Sequence, residues 1–94
     1  MKPFYLYILR CSDQSYYVGH TDDLEKRLLE QTAGKASLYT ASRLPVFLVY
    51  SKKVWSRDEA FKAEVQIKKW TRKKKEALIN GDLNGVSRLS KKKF

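Results

Sequence analysis

Residues 4–20 have the sequence FYLYILRCSDQSYYVGH, in which two apolar runs flank a polar stretch. The runs, residues 4–10 and 16–20, are rich in aromatic and branched side chains, which favour β-strands. The five residues between them suit a hairpin loop. Because side chains alternate along a strand, Tyr7 and Tyr17 can face the same way. The stretch therefore predicts a hairpin that brings both tyrosines to one side of a sheet.

Length and composition predict one globular domain. The chain has 94 residues, 43% of them hydrophobic, which is enough for a single modest core. Its apolar runs are shorter than the ~18 residues that would span a bilayer, and residues 1–10 show no signal-peptide pattern. The only cysteine, Cys11, excludes an internal disulfide and a cysteine zinc site. A cytoplasmic protein without a membrane partner is expected.

Positive charge is concentrated in the second half of the chain. The net charge is +10. Residues 1–47 carry six Lys and Arg against five Asp and Glu, whereas residues 48–94 carry fourteen against five. Such a block attracts polyanions and supplies phosphate affinity that does not depend on base sequence. The asymmetry exceeds what solubility needs and favours nucleic acid as the partner.

A first helix is predicted after the hairpin. Asp22 with Glu25 three residues later resembles a capping box, and the helical pattern continues to about Gln31. Arg27 falls beside the apolar stripe of this helix. Residues 36–44 are predicted to be a loop. Val46 to Tyr50 form a nearly continuous apolar run, which predicts a third strand that is central and buried on both faces.

Two further helices are predicted in the basic half. Ser56 begins a second capping box, and its helix extends to about Trp70. Glu64 falls inside the apolar arc of that helix, where a carboxylate is costly unless something compensates it. Thr71 is predicted to cap a third helix, from Arg72 to Asn80, which ends before a glycine.

Weak periodicity follows these helices. We therefore predict a folded domain over residues 1–82 and a basic, partly mobile tail over 83–94.

Phosphodiester hydrolysis needs a base, a cation and groups that neutralise developing phosphate charge. A carboxylate such as Glu64 can hold Mg²⁺ through one oxygen, and an arginine such as Arg27 can fork onto phosphate oxygens. Each residue also has a structural interpretation. Strand tyrosines usually pack, Arg27 can snorkel, Glu64 can pair with Lys68 at i+4, and His20 can be a surface histidine.

The ordered motifs make the chain resemble the small, single-domain bacterial members of the GIY-YIG nuclease family. The resemblance extends from Tyr5 to about Gly81. It is carried by Tyr-x-Tyr at 5–7, Tyr-Val-Gly-His-Thr at 17–21, Asp-Leu-Glu-Lys-Arg-Leu at 23–28, Tyr-Thr at 39–40, Pro-x-x-Leu-Val-Tyr at 45–50 and Glu-Ala-x-x-x-Glu-x-x-Ile-Lys at 59–68.

This resemblance implies an α/β fold with a three-stranded antiparallel sheet flanked by helices. It also implies one divalent cation, Mg²⁺ or Mn²⁺, and cleavage to 5′-phosphate and 3′-hydroxyl ends. By position, Tyr7 and Tyr17 are the motif tyrosines, Arg27 the catalytic arginine and Glu64 the metal-binding glutamate.

Three positions depart from the family pattern. Tyr5 replaces the first-motif glycine, and Gln31 stands where many members have a histidine. Because Gln31 cannot act as a base, that role would fall to Tyr17, Tyr7 or His20. His20 itself stands where other branches have a lysine.

The sequence thus predicts a metal-dependent endonuclease acting on DNA. A small domain has little area for reading a duplex, which favours single-stranded or branched DNA. No pattern indicates an oligomeric state. The residues predicted to contact nucleic acid are Tyr39, Arg43, Lys68, Lys69, Arg72 and Lys73. Two alternatives stay open: a non-catalytic nucleic-acid-binding module of the same fold, and a basic protein that binds another protein or the ribosome.

Overall fold

The computed structural model describes residues 2–90. The elements are β1 (Phe4–Arg10), β2 (Tyr16–Thr21), α1 (Leu24–Thr32), α2 (Leu38–Ala41), β3 (Phe47–Val54), α3 (Arg57–Lys68), α4 (Arg72–Ile79) and α5 (Leu83–Ser90). The strands form one antiparallel sheet in the order β2-β1-β3. The predicted α/β fold, a three-stranded antiparallel sheet flanked by helices, is confirmed.

Strand β1 is the centre of the sheet, with one apolar cluster on each face. On one face, Leu6 and Ile8 pack with Ile67 of α3. On the other, Tyr7 and Leu9 pack with residues of α1. All four β1 residues are at most 2% exposed, as expected for a strand covered on both faces.

The prediction that the third strand is central is wrong. Strand β3 pairs only with β1 and forms an edge of the sheet. Phe47 and Leu48 are 55% and 40% exposed, and the strand continues through Lys52 and Lys53. An apolar run does not determine strand order, because that order depends on long-range pairing. Lysines are characteristic of edge strands.

Capping side chains set the helix starts. Ser56 accepts a hydrogen bond from the amide of Glu59, and Thr71 accepts one from the amide of Lys74, as the sequence predicts. The first cap is one residue later than predicted, because Asp23, not Asp22, accepts from the amide of Lys26.

Two segments without predicted structure are helical. Ser37 caps α2 within the stretch predicted to be a loop, residues 36–44. Helix α5, which packs against α4, lies within the predicted tail. The mobility predicted for the last few residues concerns 91–94, outside the described range. Among residues 2–90, no helix combines the length and apolarity needed to cross a membrane.

Candidate active site

The candidate site lies along β2, the edge strand opposite β3. Tyr7 of β1 pairs with Gly19, and Leu6 pairs with His20. Tyr17 packs with the cluster beside α1, so the two motif tyrosines share a face as predicted. His20 alternates to the opposite face, where it meets α3. Because β2 is an edge, groups from both faces can meet around it.

Gly19 leaves the space that the Tyr7 ring occupies. A Cβ built on Gly19 would lie 2.7 Å from both Cζ and the hydroxyl oxygen of Tyr7. Tyr7 is 1% exposed and cannot move away without disrupting the core. Glycine at this position therefore lets the Tyr7 hydroxyl reach the β2 edge.

The Tyr7 hydroxyl belongs to a buried network of neutral groups. Gln31 Nε2 donates a hydrogen bond of 3.1 Å to it, and Thr40 donates to Gln31 Oε1. Gln31 and Thr40 are both 0% exposed. We call these three residues the Tyr7 network. Burial raises the pKa of Tyr7, although the hydrogen bond from Gln31 acts in the opposite direction. Tyr7 is therefore neutral at physiological pH.

Tyr17 is the more accessible motif tyrosine. Its ring centroid lies 6.5 Å from that of Tyr7 and 6.0 Å from that of Tyr39. Tyr39, which sits on α2, is 38% exposed. The three rings form a row from the buried core to the surface.

On the other face, Glu64 of α3 anchors a network of polar and charged groups. One carboxylate oxygen lies 2.6 Å from His20 Nδ1, and the other lies 2.7 Å from Lys68 Nζ. We call these three residues the Glu64 network. Burial alone would raise the pKa of Glu64, but the hydrogen bonds and charges of Lys68 and His20 outweigh it and lower the pKa. The cost of a carboxylate in an apolar arc is compensated in this way.

A cleft at the end of β2 brings α1 and α3 together. Its volume is about 170 Å³, and its lining includes His20, Arg27 and Arg57. Arg27 Nε lies 3.4 Å from Glu30 on the same helix, with its side chain 37% exposed. Arg27, which is predicted to be catalytic, and His20, which pairs with Glu64, thus line the same cleft.

Sequence reasoning missed Arg57. It is the first residue of α3, directly after the Ser56 cap, and its guanidinium lies 5.4 Å from the centroid of the Phe4 ring. The capping box identified the start of this helix. Nothing in the sequence around residue 57 indicated that the start of α3 lies in the same cleft as Arg27.

A family model of the GIY-YIG catalytic domain matches residues 3–77. The chain belongs to the GIY-YIG family. The predicted resemblance is confirmed.

Bacterial relatives carry the designation UPF0213. One from Bacillus pumilus is 45% identical over 75 residues, covering 80% of this chain and 76% of the relative. One from Streptococcus pneumoniae serotype 4 is 42% identical over 85 residues, covering 88% and 86%.

Two solution structures share the fold. A UPF0213 protein from Bacillus halodurans matches with a TM-score of 0.55 and 36% identity, covering 94% of this chain and 97% of that one. A protein from E. faecalis matches with a TM-score of 0.59 and 41% identity, covering 86% of each.

In this GIY-YIG domain, Glu64 offers a carboxylate of the kind that would hold a divalent cation. Its lowered pKa keeps the carboxylate ionised at neutral pH, and Mg²⁺ often uses one or two carboxylates with water and phosphate as its other ligands. Within residues 2–90, no group of three or more His, Cys, Asp or Glu forms a metal cluster. The donor set therefore fits a hard, largely hydrated cation and does not fit a four-ligand zinc site.

The residues predicted to contact nucleic acid fall into two groups. Tyr39 and Arg43 lie beside α1, with the Arg43 guanidinium 3.8 Å from the centroid of the Tyr39 ring. The others lie on or beside α3 and α4. Of these, Lys68 forms an ion pair with Glu64, and the Arg72 guanidinium lies 4.5 Å from the centroid of the Tyr16 ring. The exposed side chains of Lys69 and Lys73 complete this second group.

Proposed function

We propose that this protein is a divalent-metal-dependent endonuclease that hydrolyses phosphodiester bonds in DNA. The observation that carries the proposal is the cleft at the end of β2, which Arg27, Arg57 and His20 line, with His20 in contact with the Glu64 carboxylate. Two guanidinium groups suit the non-bridging oxygens of a phosphate. The ionised carboxylate of Glu64, which contacts His20, suits a cation. Membership of the GIY-YIG family supports the same chemistry.

The side chains have separate roles in this proposal. Glu64 would hold Mg²⁺ or Mn²⁺, which would polarise the phosphate and stabilise developing negative charge. Arg27 neutralises charge on the non-bridging oxygens, and its planar fork matches their geometry. Arg57 holds the phosphate at the other side of the cleft. Tyr7, which is buried and neutral, fixes the position of the β2 edge through its close contact with Gly19.

The general base is assigned to Tyr17. Tyr7 is less suited, because burial raises its pKa and keeps its proton in place. His20 is the alternative base, since an ionised Glu64 that accepts from Nδ1 leaves Nε2 without a proton in the neutral ring. The two assignments differ in the pH profile that they predict.

Single-stranded or branched DNA is the proposed substrate. The described domain is small, with principal extents of 41, 36 and 19 Å. Specific duplex readers usually bury ~1,000 Å² or more of protein surface. A site on one strand edge offers much less, which suits an accessible strand better than an intact duplex.

Two observations favour a second function. Both oxygens of Glu64 are already paired with protein side chains, and Gln31 replaces a histidine that many family members have. A non-catalytic nucleic-acid-binding module would show these features.

A cleavage screen distinguishes the two functions. The pure protein would be incubated with end-labelled single strands, hairpins, flaps and duplexes, with Mg²⁺ or Mn²⁺ and with or without chelator. RNA versions would be tested in parallel, and Glu64→Gln protein prepared identically would control for contaminating nuclease. We expect chelator-sensitive cleavage that leaves 5′-phosphates. Binding without cleavage under all conditions would establish the non-catalytic module.

A further inference from the structure

Two arginine–tyrosine stacks flank the hairpin loop between β1 and β2. On the α1 side, the Arg43 guanidinium lies 3.8 Å from the Tyr39 ring centroid. On the α4 side, the Arg72 guanidinium lies 4.5 Å from the Tyr16 ring centroid. Tyr39 is in turn 6.0 Å from Tyr17. Tyr16 belongs to one stack, and Tyr17 is the neighbour of the other. Because these two residues are adjacent in β2, the two stacks lie on opposite faces of the sheet.

Both arginines bond to adjacent residues of the hairpin loop. Arg43 Nε lies 3.0 Å from a carboxylate oxygen of Asp13. Arg72 donates a hydrogen bond of 2.6 Å to the backbone carbonyl of Gln14, the next residue. Further bonds hold each plane, from Arg43 to the carbonyl of Tyr39 at 3.0 Å and from Arg72 to Glu76 at 3.0 Å. Both guanidinium planes are therefore fixed before any ligand arrives.

Their charges are already compensated, which decides what they can recognise. Asp13 pairs with Arg43, and Glu76 pairs with Arg72. A compensated guanidinium contributes little to phosphate attraction, but its planar surface still stacks on an aromatic base. The side chains remain 34% and 51% exposed, so the planes are partly open to solvent. The arrangement suits unpaired nucleobases better than phosphates.

We infer that Arg43 and Arg72, each backed by its tyrosine, form a base clamp that stacks on unpaired bases of the nucleic acid strand bound along the β2 edge. This inference rests on the proposed function and adds the feature of the substrate that the clamp recognises, its unpaired bases. The clamp lies at the hairpin end of β2. Gly19 and His20 follow Tyr16 and Tyr17 by two to four residues.

The spacing along β2 gives the clamp a defined reach. At ~3.3 Å per residue, Gly19 and His20 lie about 7 to 13 Å along the strand from the clamp. Stacked nucleotides advance ~3.4 Å each, so the clamped bases lie within about four nucleotides of the bond that is cut. A duplex cannot offer these faces, because its bases are stacked on one another.

The test measures binding of full-length protein in chelator, so that no cleavage occurs. Fluorescence anisotropy would compare labelled single strands of DNA and of RNA with abasic strands of the same length and charge. We expect the wild-type protein to bind the strand with bases on the order of 10-fold more tightly than the abasic strand. The DNA and RNA arms show whether the sugar matters in addition to the base.

Charge-conserving variants separate stacking from electrostatics. The double variant Arg43→Lys and Arg72→Lys keeps net charge but loses both planes, and we expect it to bind the two kinds of strand equally. The slope of affinity against salt concentration should stay unchanged, because the number of charges is unchanged. Arg88→Lys, an exposed position on α5, is the matched control and should keep the wild-type preference.

A measurement on the wild-type protein guards against misfolding of the double variant. A strand carrying 2-aminopurine should lose fluorescence on binding if that base becomes stacked. The inference is overturned if wild-type protein binds abasic and normal strands equally, binds neither, or leaves 2-aminopurine unchanged at every position. It is also overturned if a folded double variant keeps the preference. Absence of cleavage when metal is added would refute the proposed enzyme and leave this binding preference intact.

Discussion

The Tyr7 network and the Glu64 network lie on opposite faces of the same sheet, yet they are built from different chemistry. The Tyr7 network is fully buried and neutral, and each of its hydrogen bonds joins uncharged groups. The Glu64 network is charged and partly exposed, with the Glu64 side chain 14% and the Lys68 side chain 51% accessible. A buried neutral network fixes a geometry, whereas an exposed charged network can exchange partners. Under the proposed function, the exchange of a bound cation therefore belongs to the Glu64 side.

The most severe test of this division is Glu64→Gln. Loss of the carboxylate should abolish cleavage, by on the order of 10³-fold or more, because a bound cation contributes several kcal/mol of charge stabilisation. DNA binding should persist. Single-turnover cleavage and anisotropy would separate the two effects, with Glu59→Gln on the same helix as the control. Turnover at the wild-type rate would exclude Glu64 as the metal ligand.

Arg27→Lys tests the contribution of α1 to the charged side of the site. We expect a loss on the order of 10²-fold in kcat with little change in KM, because a lysine lacks the planar fork. Steady-state kinetics would measure both constants, with Arg88→Lys as the control. A large rise in KM with normal kcat would make Arg27 a binding residue only.

Tyr17→Phe tests the accessible tyrosine on the same face as the Tyr7 network. Removing only the hydroxyl should reduce kcat about 10²-fold, the usual scale for losing a general base. Tyr50→Phe on β3 is the matched control. The pH–rate profile provides the decisive comparison with His20. A pH dependence of kcat that disappears in His20→Ala would transfer the base role to His20.

Gly19→Ala tests how rigid the Tyr7 network is. The added methyl would overlap the end of the Tyr7 ring, so we expect a loss of about 1–3 kcal/mol in the free energy of unfolding. Chemical denaturation would measure it. In a Tyr7→Leu background the same substitution should cost less, because the overlapping ring is gone. Equal costs in both backgrounds would show that the core accommodates the methyl elsewhere.

The smallest expected effect is the pH dependence of stability from the Glu64 network. The pKa of Glu64 is lowered in the folded protein by Lys68 and His20 against the opposing effect of burial. Its contribution to stability is therefore present above the ordinary glutamate pKa and is lost as pH falls through the lower folded value. Unfolding measured between pH 6 and 3, at ~1 pH intervals, should show a shallower decline for Glu64→Gln than for wild type. Parallel curves would contradict the lowered pKa.

Local signals predicted the parts of this fold that depend on local interactions. The bounds predicted for β1 are those observed, and Ser56 and Thr71 cap the helices that they were expected to cap. Strand alternation placed Tyr7 and Tyr17 on one face. Each of these features depends on residues at most ten positions apart in the chain.

The features that sequence reasoning missed depend on distant pairs. Gln31 bonds Tyr7 across 24 positions, and His20 bonds Glu64 across 44. Gln31 was recognised as a departure from the family pattern, but its hydrogen bond to Tyr7 could not be deduced from its type. The order of the strands, which makes β3 an edge, depends on long-range pairing in the same way.

The lysines of β3 have a consequence for how the protein behaves at high concentration. An edge strand exposes a row of backbone donors and acceptors that a second chain could continue. Lys52 and Lys53 are successive residues, so they place a positive charge on each side of this edge. A second copy arriving along β3 would bring the same charges against them. The β3 edge thus resists growth of the sheet into an aggregate.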